Sequence, residues 1–380
     1  MSHAAVVAGG PGLGEEKPVK AAVLKEIGDA RLDVRSDAGV VAPGPNDVHV
    51  RIRAAGICHS DVSAMNGTLP ALAPGVMGHE GAGEVLAVGD GVADLAPGDR
   101  VTVTFVPPCG GCRDCLNGQP HLCAVHTIAA FTSPRFEVGA EPVFGFAGCG
   151  TFAEELVLPR DGAIKIDADV PFEIAALLGC GVLTGVGAVL NTARVEPGST
   201  AVVIGCGGVG ISVIQGLRLA GAAQIVAVDP ITAKHADAER FGATRTTTPD
   251  GLDELKQELT GGAGFDYAIE VVGRSGTIRA AYDATRRGGS VVIVGAGGPE
   301  EKVEFTAQEL FINERKILPS FYGSADPRRD IDRMVRLWRA GRLDLEGMIS
   351  RRLPLTEIND GLAALRDGNS ALVRQIVTFD

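Results

Sequence analysis

The chain has 380 residues, of which 45% are hydrophobic and 22% charged, a balance typical of soluble globular proteins at a length that calls for two domains rather than one core. A net charge of −12 without any Lys/Arg-rich block argues against nucleic acid or an anionic membrane as the main partner. Aromatic residues are sparse at 4%, and 52 glycines predict many tight turns and close backbone approaches.

The opening stretch, MSHAAVVAGGPGLGEEKP, has no basic segment followed by an apolar run, so no secretory leader is expected and the chain reads as cytoplasmic. Its GGPGLG looks like a phosphate loop but follows no strand, so residues 1–18 read as a flexible tail. From residue 19 to about 158, short apolar runs such as VHVRIRAAGI, EGAGEVLAVG and DRVTVTFV are cut by Gly, Pro and Asp. This period-two texture predicts a β-rich, barrel-like unit.

Near Pro171 the texture changes, and PFEIAALLGCGVLTGVGAVL reads as helix. Residues 174–193 are uncharged and about as long as a membrane span. Interrupting glycines and the polar Thr184, Asn191 and Thr192 make them a buried core segment instead. STAVVIGCGGVGISVIQGLRLAGAAQIVAVD then reads strand, Gly-rich turn, helix, strand. FDYAIEVVG and GGSVVIVGAGG are further strands, separated by the helical SGTIRAAYDATRR, and this alternation implies a parallel, doubly wound sheet. After about Ser324 come a helical stretch, DIDRMVRLWRAGRLDLEGMI, and a last strand, IVTFD, able to return to the first domain.

GCGGVG follows an apolar strand and opens a helix, the context in which Gly205, Gly207, Gly208, Val209 and Gly210 can cradle a pyrophosphate at a helix N-terminus. Asp229 closes the next strand, where it can accept from both hydroxyls of an adenosine ribose. A 2′-phosphate beside that carboxylate would meet a repulsion of up to roughly 4 kcal/mol at ~4 Å, and Lys234 alone does not reverse the sign, so NAD is expected over NADP. GAGG at 295–298 also follows a strand and reads as a crossover turn beside the cofactor.

Four of the eight cysteines crowd into PPCGGCRDCLNGQPHLC at 107–123. In a cytosolic chain disulfides are rare, and Cys109, Cys112, Cys115 and Cys123 fit four thiolates closing on one structural zinc. A CxxC redox pair is the rival reading and leaves two of the four idle. Such a closed site offers no position to a substrate. Cys58 in GICHSD, His79 and Glu80 in GHEGAG, and Cys180 in LLGCGVLTG remain for an open site with two thiolates and one imidazole. Singly, each also reads as ordinary core.

With these motifs, the chain resembles the zinc-dependent medium-chain alcohol dehydrogenases from about residue 19 to 379, through GHEGAG, the four-cysteine lobe, GCGGVG with Asp229, and the final RQIVTF. The resemblance implies an α/β protein: a β-rich GroES-like catalytic domain over 19–181 and 325–380, interrupted by an NAD-binding Rossmann domain over 182–324. It implies two zinc ions per chain, with Cys58, His79 and Cys180 holding the catalytic one and Glu80 assisting ligand exchange. Ser60 matches the hydroxyl that takes the alcohol proton; His59, Thr184, Val294 and Arg374 match cofactor contacts. Leu69, Phe105, Ile128, Phe146 and Ala296 match the substrate pocket, and no tryptophan narrows it, since Trp338 lies far along the chain.

The implied activity is reversible oxidation of alcohols, of primary, medium-length, allylic or aromatic type, by hydride transfer to NAD. A physiological aldehyde reductase, or a non-catalytic NAD sensor, would share the same residues. Three departures refine the expectation. Ser63 stands where many members complete a proton relay with histidine, and Thr127 where glutathione-linked formaldehyde specialists carry arginine. Cys180 stands where polyol dehydrogenases carry an acid. In the family it resembles, a long segment after the last lobe cysteine goes with dimers, so the resemblance implies a homodimer here, with a small alcohol or aldehyde as the other partner.

Overall fold

The computed structural model describes residues 18–139, 141–367 and 371–379. The GGPGLG stretch and nearly all of the expected tail lie outside the described residues.

Strands Val19–Leu24, Asp33–Val40, Phe136–Val138, Glu141–Gly145 and Gly75–Val76 close into a barrel. Beside it lies a largely antiparallel sheet in the order Ala163–Lys165, Arg100–Val103, Glu80–Val88, Asp47–Ile57, Arg374–Thr378, Ile349–Pro354, with Glu155–Pro159 also paired to Asp47–Ile57. One apolar core joins barrel and sheet, including Leu24, Ile52, Met77, Phe136, Phe152 and Leu156, all at most 1% exposed.

The second layer system is a six-stranded parallel sheet, ordered Arg245–Thr247, Gln224–Val228, Thr200–Ile204, Phe265–Glu270, Thr285–Ile293, Lys316–Pro319. The strand order turns back at Thr200–Ile204 and Phe265–Glu270, which opens a crevice at their carboxyl ends. TAVVI and QIVAV are apolar along nearly their whole length because helices cover both faces.

Three segments depart from the sequence reading. PFEIAALLGCGVLTGVGAVL is not one helix: Phe172–Leu178 and Gly181–Ala193 meet at a 49° bend, with Cys180 non-helical at φ −144°, ψ −76°. SGTIRAAYDATRR ends its helix at Ala284, and Thr285, Arg286 and Arg287 begin the following strand. The stretch after Ser324 holds a helix, Pro327–Arg339, an added strand, Ile349–Pro354, and a second helix, Ile358–Arg366. ISRRLP lacks an apolar run because it is a half-exposed edge, so periodicity missed it. As expected, the last strand does return, pairing antiparallel with Asp47–Ile57. No single helix among the described residues is long and apolar enough to cross a membrane.

Candidate active site

Strand register assembles the site. Asp47–Ile57 and Glu80–Val88 pair with Gly56 opposite Glu80, so Cys58, just past one strand, and His79, just before the other, emerge side by side. The bend between the two helices delivers Cys180 to the same point. Ligand atoms of Cys58, His79, Glu80 and Cys180 lie within 4.8 Å of one another, and all four residues are buried.

Of these four, Glu80 is already engaged. Its Oε2 is paired with Arg374 and its Oε1 accepts the Gly181 N–H at 3.2 Å. His79 Nδ1 faces Asp61 Oδ1 at 3.1 Å, and the other Asp61 oxygen accepts the Cys58 N–H at 3.0 Å. Asp61, wholly buried, thus fixes the imidazole so that Nε2 points inward, and that nitrogen has no hydrogen-bond partner. Two thiols and an orphaned imidazole nitrogen form a donor set suited to Zn²⁺, with one position left open.

Electrostatics point the same way. The hydrogen bond from Cys180 holds the Cys58 thiol well below its usual range and pushes Cys180 up. Burial opposes charge on His79, yet Asp61 and Cys58 together raise it. Burial lifts Glu80 to about 7 against the pull of Arg374. A cation here would take the place of the proton that Cys180 donates to Cys58.

The lobe gathers its own set: sulfurs of Cys109, Cys112, Cys115 and Cys123 lie within 4.8 Å of one another. Backbone amides serve them, with Cys112 N–H donating to Cys109 Sγ at 3.3 Å and Cys109 N–H to Cys123 Sγ at 3.4 Å. The Cys115 amide, with the neighbouring sulfurs, brings Cys112 down to about 7. Four thiols with no fifth donor among them fit a saturated tetrahedral metal.

The Gly-rich turn adjoins the first site. Gly205 sits at φ +103°, and a Cβ at Gly210 would collide with the Gly205 carbonyl, so the turn closes tightly onto the helix Gly208–Ala220. Arg374 bridges the two regions, since a Cβ at Gly208 would strike its side chain while its guanidinium holds Glu80. Asp229 is 4% exposed; its carboxylate accepts from Cys206 N–H and Ile231 N–H at 2.9 Å each and pairs with Lys234 at 3.4 Å. Gly207, Gly208 and Val209 are half-buried along the same turn. Thr184 lies one turn beyond Cys180, whose carbonyl accepts its N–H at 2.8 Å. Val294 N–H bonds the Glu270 carbonyl at 2.8 Å, and Ala296 is exposed just beyond it. His59 is exposed at the start of the helix His59–Met65.

Aromatic rings wall the inner site. Phe105 and Phe146 stand edge-on to the His79 ring at 5.5 and 5.3 Å. Ser60 Oγ is 3.6 Å from Cys58 Sγ, and Leu69 is half-buried, its N–H bonded to the Ser63 carbonyl at 2.9 Å. Ile128 is 63% exposed, on the helix Ala124–Thr132 that packs against the Phe146 turn. Two residues that sequence reasoning passed over belong here. Asp61 carried a signal, an acid three residues beyond a candidate ligand. Phe321, perpendicular to Phe105 at 6.2 Å and 54% exposed, carried none.

Comparison with known proteins agrees with this architecture. Residues 44–168 match the alcohol dehydrogenase GroES-like domain and residues 208–339 the zinc-binding dehydrogenase domain. A Mycobacterium tuberculosis protein provisionally named alcohol dehydrogenase D is 38% identical over 92% of this chain and 97% of its own. The S-(hydroxymethyl)glutathione dehydrogenase of Paracoccus denitrificans is 35% identical over 95% and 99%. The crystal structure of benzyl alcohol dehydrogenase from Acinetobacter calcoaceticus superposes with a TM-score of 0.86 at 28% identity, covering 96% of this chain and all of that one. With its barrel, its parallel sheet and these relatives, the chain belongs to the zinc-dependent medium-chain alcohol dehydrogenase family, and is an oxidoreductase.

Proposed function

We propose that the protein is an NAD-linked alcohol dehydrogenase that interconverts primary, medium-length, allylic or aromatic alcohols and their aldehydes. The observation that carries this reading is the convergence of Cys58, His79 and Cys180 beneath an aromatic wall and beside the Gly-rich turn. Those three residues would hold a catalytic zinc, and Cys109, Cys112, Cys115 and Cys123 a structural one. When bound, zinc supplies a Lewis acid that favours the alkoxide form of an alcohol, and NAD supplies the hydride acceptor.

The chain's own residues do the rest. Asp61 holds the His79 ring in one tautomer. Ser60, half-buried beside Cys58, takes the alcohol proton and passes it outward. Arg374 keeps Glu80 in place and stands against the turn that receives pyrophosphate. Asp229 holds a buried carboxylate against the backbone of that turn, where it can accept from the ribose hydroxyls, and Lys234 lies 3.4 Å from it.

Phe105, Phe146 and Phe321 offer flat apolar contacts to an unsaturated or aromatic substrate. Thr127 spends its hydroxyl on the Cys123 carbonyl and brings no cation for a glutathione carboxylate. A homodimer is supported by the exposed Leu310, Phe311 and Ile312 beside the edge strand Lys316–Pro319, and light scattering at twice the chain mass checks it.

The test of function is NADH formation across a panel of alcohols with NAD and NADP in turn. The expected result is highest kcat/KM with benzylic or allylic alcohols and a preference for NAD of about tenfold or more, eroded in Asp229→Gly. Equal rates with both cofactors in the parent, or turnover confined to ethanol, would sink this reading.

A further inference from the structure

We propose that Tyr322, which the mechanism above leaves unused, is a positioning residue. Its hydroxyl ties together the three backbone segments that carry Phe105, Cys180 and Phe321. The inference rests on the proposed catalytic zinc site and goes beyond it.

Tyr322 is 2% exposed and sits in the turn Phe321–Ser324. Tyr322, Gly323 and Ser324 are all left-handed, at φ 52°, 65° and 48°, a conformation that two non-glycine residues adopt only when their surroundings impose it. The imposing contact is visible. Gly323 lies so close to Gly187 that a Cβ on either would collide with the other's backbone, which seats the turn on the helix Gly181–Gly187. Asn191 Nδ2 donates to the Gly323 carbonyl at 3.3 Å and holds the seat.

From there the phenol donates to the Gly179 carbonyl at 2.7 Å and meets Thr104 Oγ1 at 2.9 Å. Its single proton being spent on Gly179, the Thr104 hydroxyl donates to the phenol oxygen and itself accepts from Val106 N–H at 3.3 Å. The result is one directed chain from the Val106 amide, through Thr104 and Tyr322, to Gly179.

Each anchor borders a residue of the site. Thr104 precedes Phe105, Gly179 precedes Cys180, and Phe321 precedes Tyr322. Gly179 C=O and Cys180 N–H share one rigid peptide plane, so holding the carbonyl fixes the entry of Cys180 at the 49° break, where no continuous helix holds it. The Tyr322 ring also meets Phe105 edge-to-face, with centroids 4.5 Å apart at 63°, and Phe105 is itself edge-on to His79. An apolar side chain would fill this volume equally well; only a hydroxyl can orient the Gly179–Cys180 peptide.

The experiment compares the parent, Tyr322→Phe and Tyr282→Phe after cobalt replaces zinc in the catalytic site. Tyr282 is the control, because it is also fully buried and donates its hydroxyl to a backbone carbonyl, that of Glu309 at 3.2 Å, within the parallel-sheet layer. In Tyr322→Phe the visible cobalt bands should shift and kcat should fall by about tenfold, while KM for NAD changes by less than about twofold. In Tyr282→Phe the bands should match the parent. Identical bands and kcat in Tyr322→Phe, with only a lower melting temperature, would overturn the proposal. If Tyr322→Phe does not fold, Thr104→Val cuts the same chain at its other end and is read by the same criteria. A parent that takes up no cobalt outside the four-cysteine lobe would overturn the functional reading itself, and the proposal with it.

Discussion

In the lobe, four cysteines from the single span 109–123 meet around backbone amides of that same span, and three of the four remain partly exposed. Around Cys58, His79 and Cys180 the donors come from three distant segments, every one is buried, and acids and a guanidinium surround them. Outside its own span the lobe leans on the turn Phe321–Ser324 and on Arg328, which donates to the Pro108 carbonyl. The lobe's own elements are a single turn of helix, Arg113–Leu116, and a 3₁₀ turn, Pro120–Leu122, with Leu116 74% exposed. The inner site, by contrast, hangs on a strand pair, a helix break and a complete apolar core. A metal in the lobe would therefore supply structure, whereas a metal in the inner site would draw on structure that already exists.

The sharpest way to break this contrast is Cys180→Ser. It removes one inner donor but no loop closure, so turnover should fall by about a thousandfold, ~4 kcal/mol of transition-state stabilisation, while the melting temperature stays within about 3 °C. Steady-state kinetics beside calorimetry reads both; a cold, unfolded variant would show that the inner metal is structural as well.

Next in size is Cys112→Ser in the lobe. Loss of ~3 kcal/mol should lower the melting temperature by about 6–12 °C, with prompt low-temperature activity far less affected than in Cys180→Ser. Should Cys112→Ser instead be inactive and as stable as the parent, the lobe would be the reactive centre.

The smallest effect tests the support of the inner site. Asp61→Asn keeps an acceptor for the Cys58 amide but weakens the hold on His79 Nδ1–H, so kcat/KM should fall by about 10–100-fold. Zinc content after dialysis against a chelator should fall with it. Parent-like kinetics and zinc retention would mean that strand register alone aims the imidazole.

How much of this was legible follows from the same contrast. The lobe could be read from spacing because its donors are neighbours in sequence, and GCGGVG with Asp229 could be read because a strand, a turn and a helix repeat locally. Asp61 was passed over because its partner His79 lies 18 residues away, and only the fold sets the two side by side. Phe321 and Tyr322 sit in a turn whose left-handed backbone no local pattern announces, since two of its three left-handed residues are not glycine. The strand Ile349–Pro354 was hidden by its exposed, arginine-bearing edge.

The amino-acid sequence by itself determined the alternation that makes a parallel sheet, the barrel-like texture before it, the closed cysteine lobe and the Gly-rich turn with its acid. All of these arise from interactions between residues close along the chain, where spacing and periodicity are the geometry. Only the tertiary structure decided that Arg374 holds Glu80, that Asp61 orients His79, and that a tyrosine hydroxyl reaches Gly179. Each of those contacts depends on which strands pair, in which register, and on where a helix breaks. These are consequences of burying one shared core, and no short window of sequence contains them.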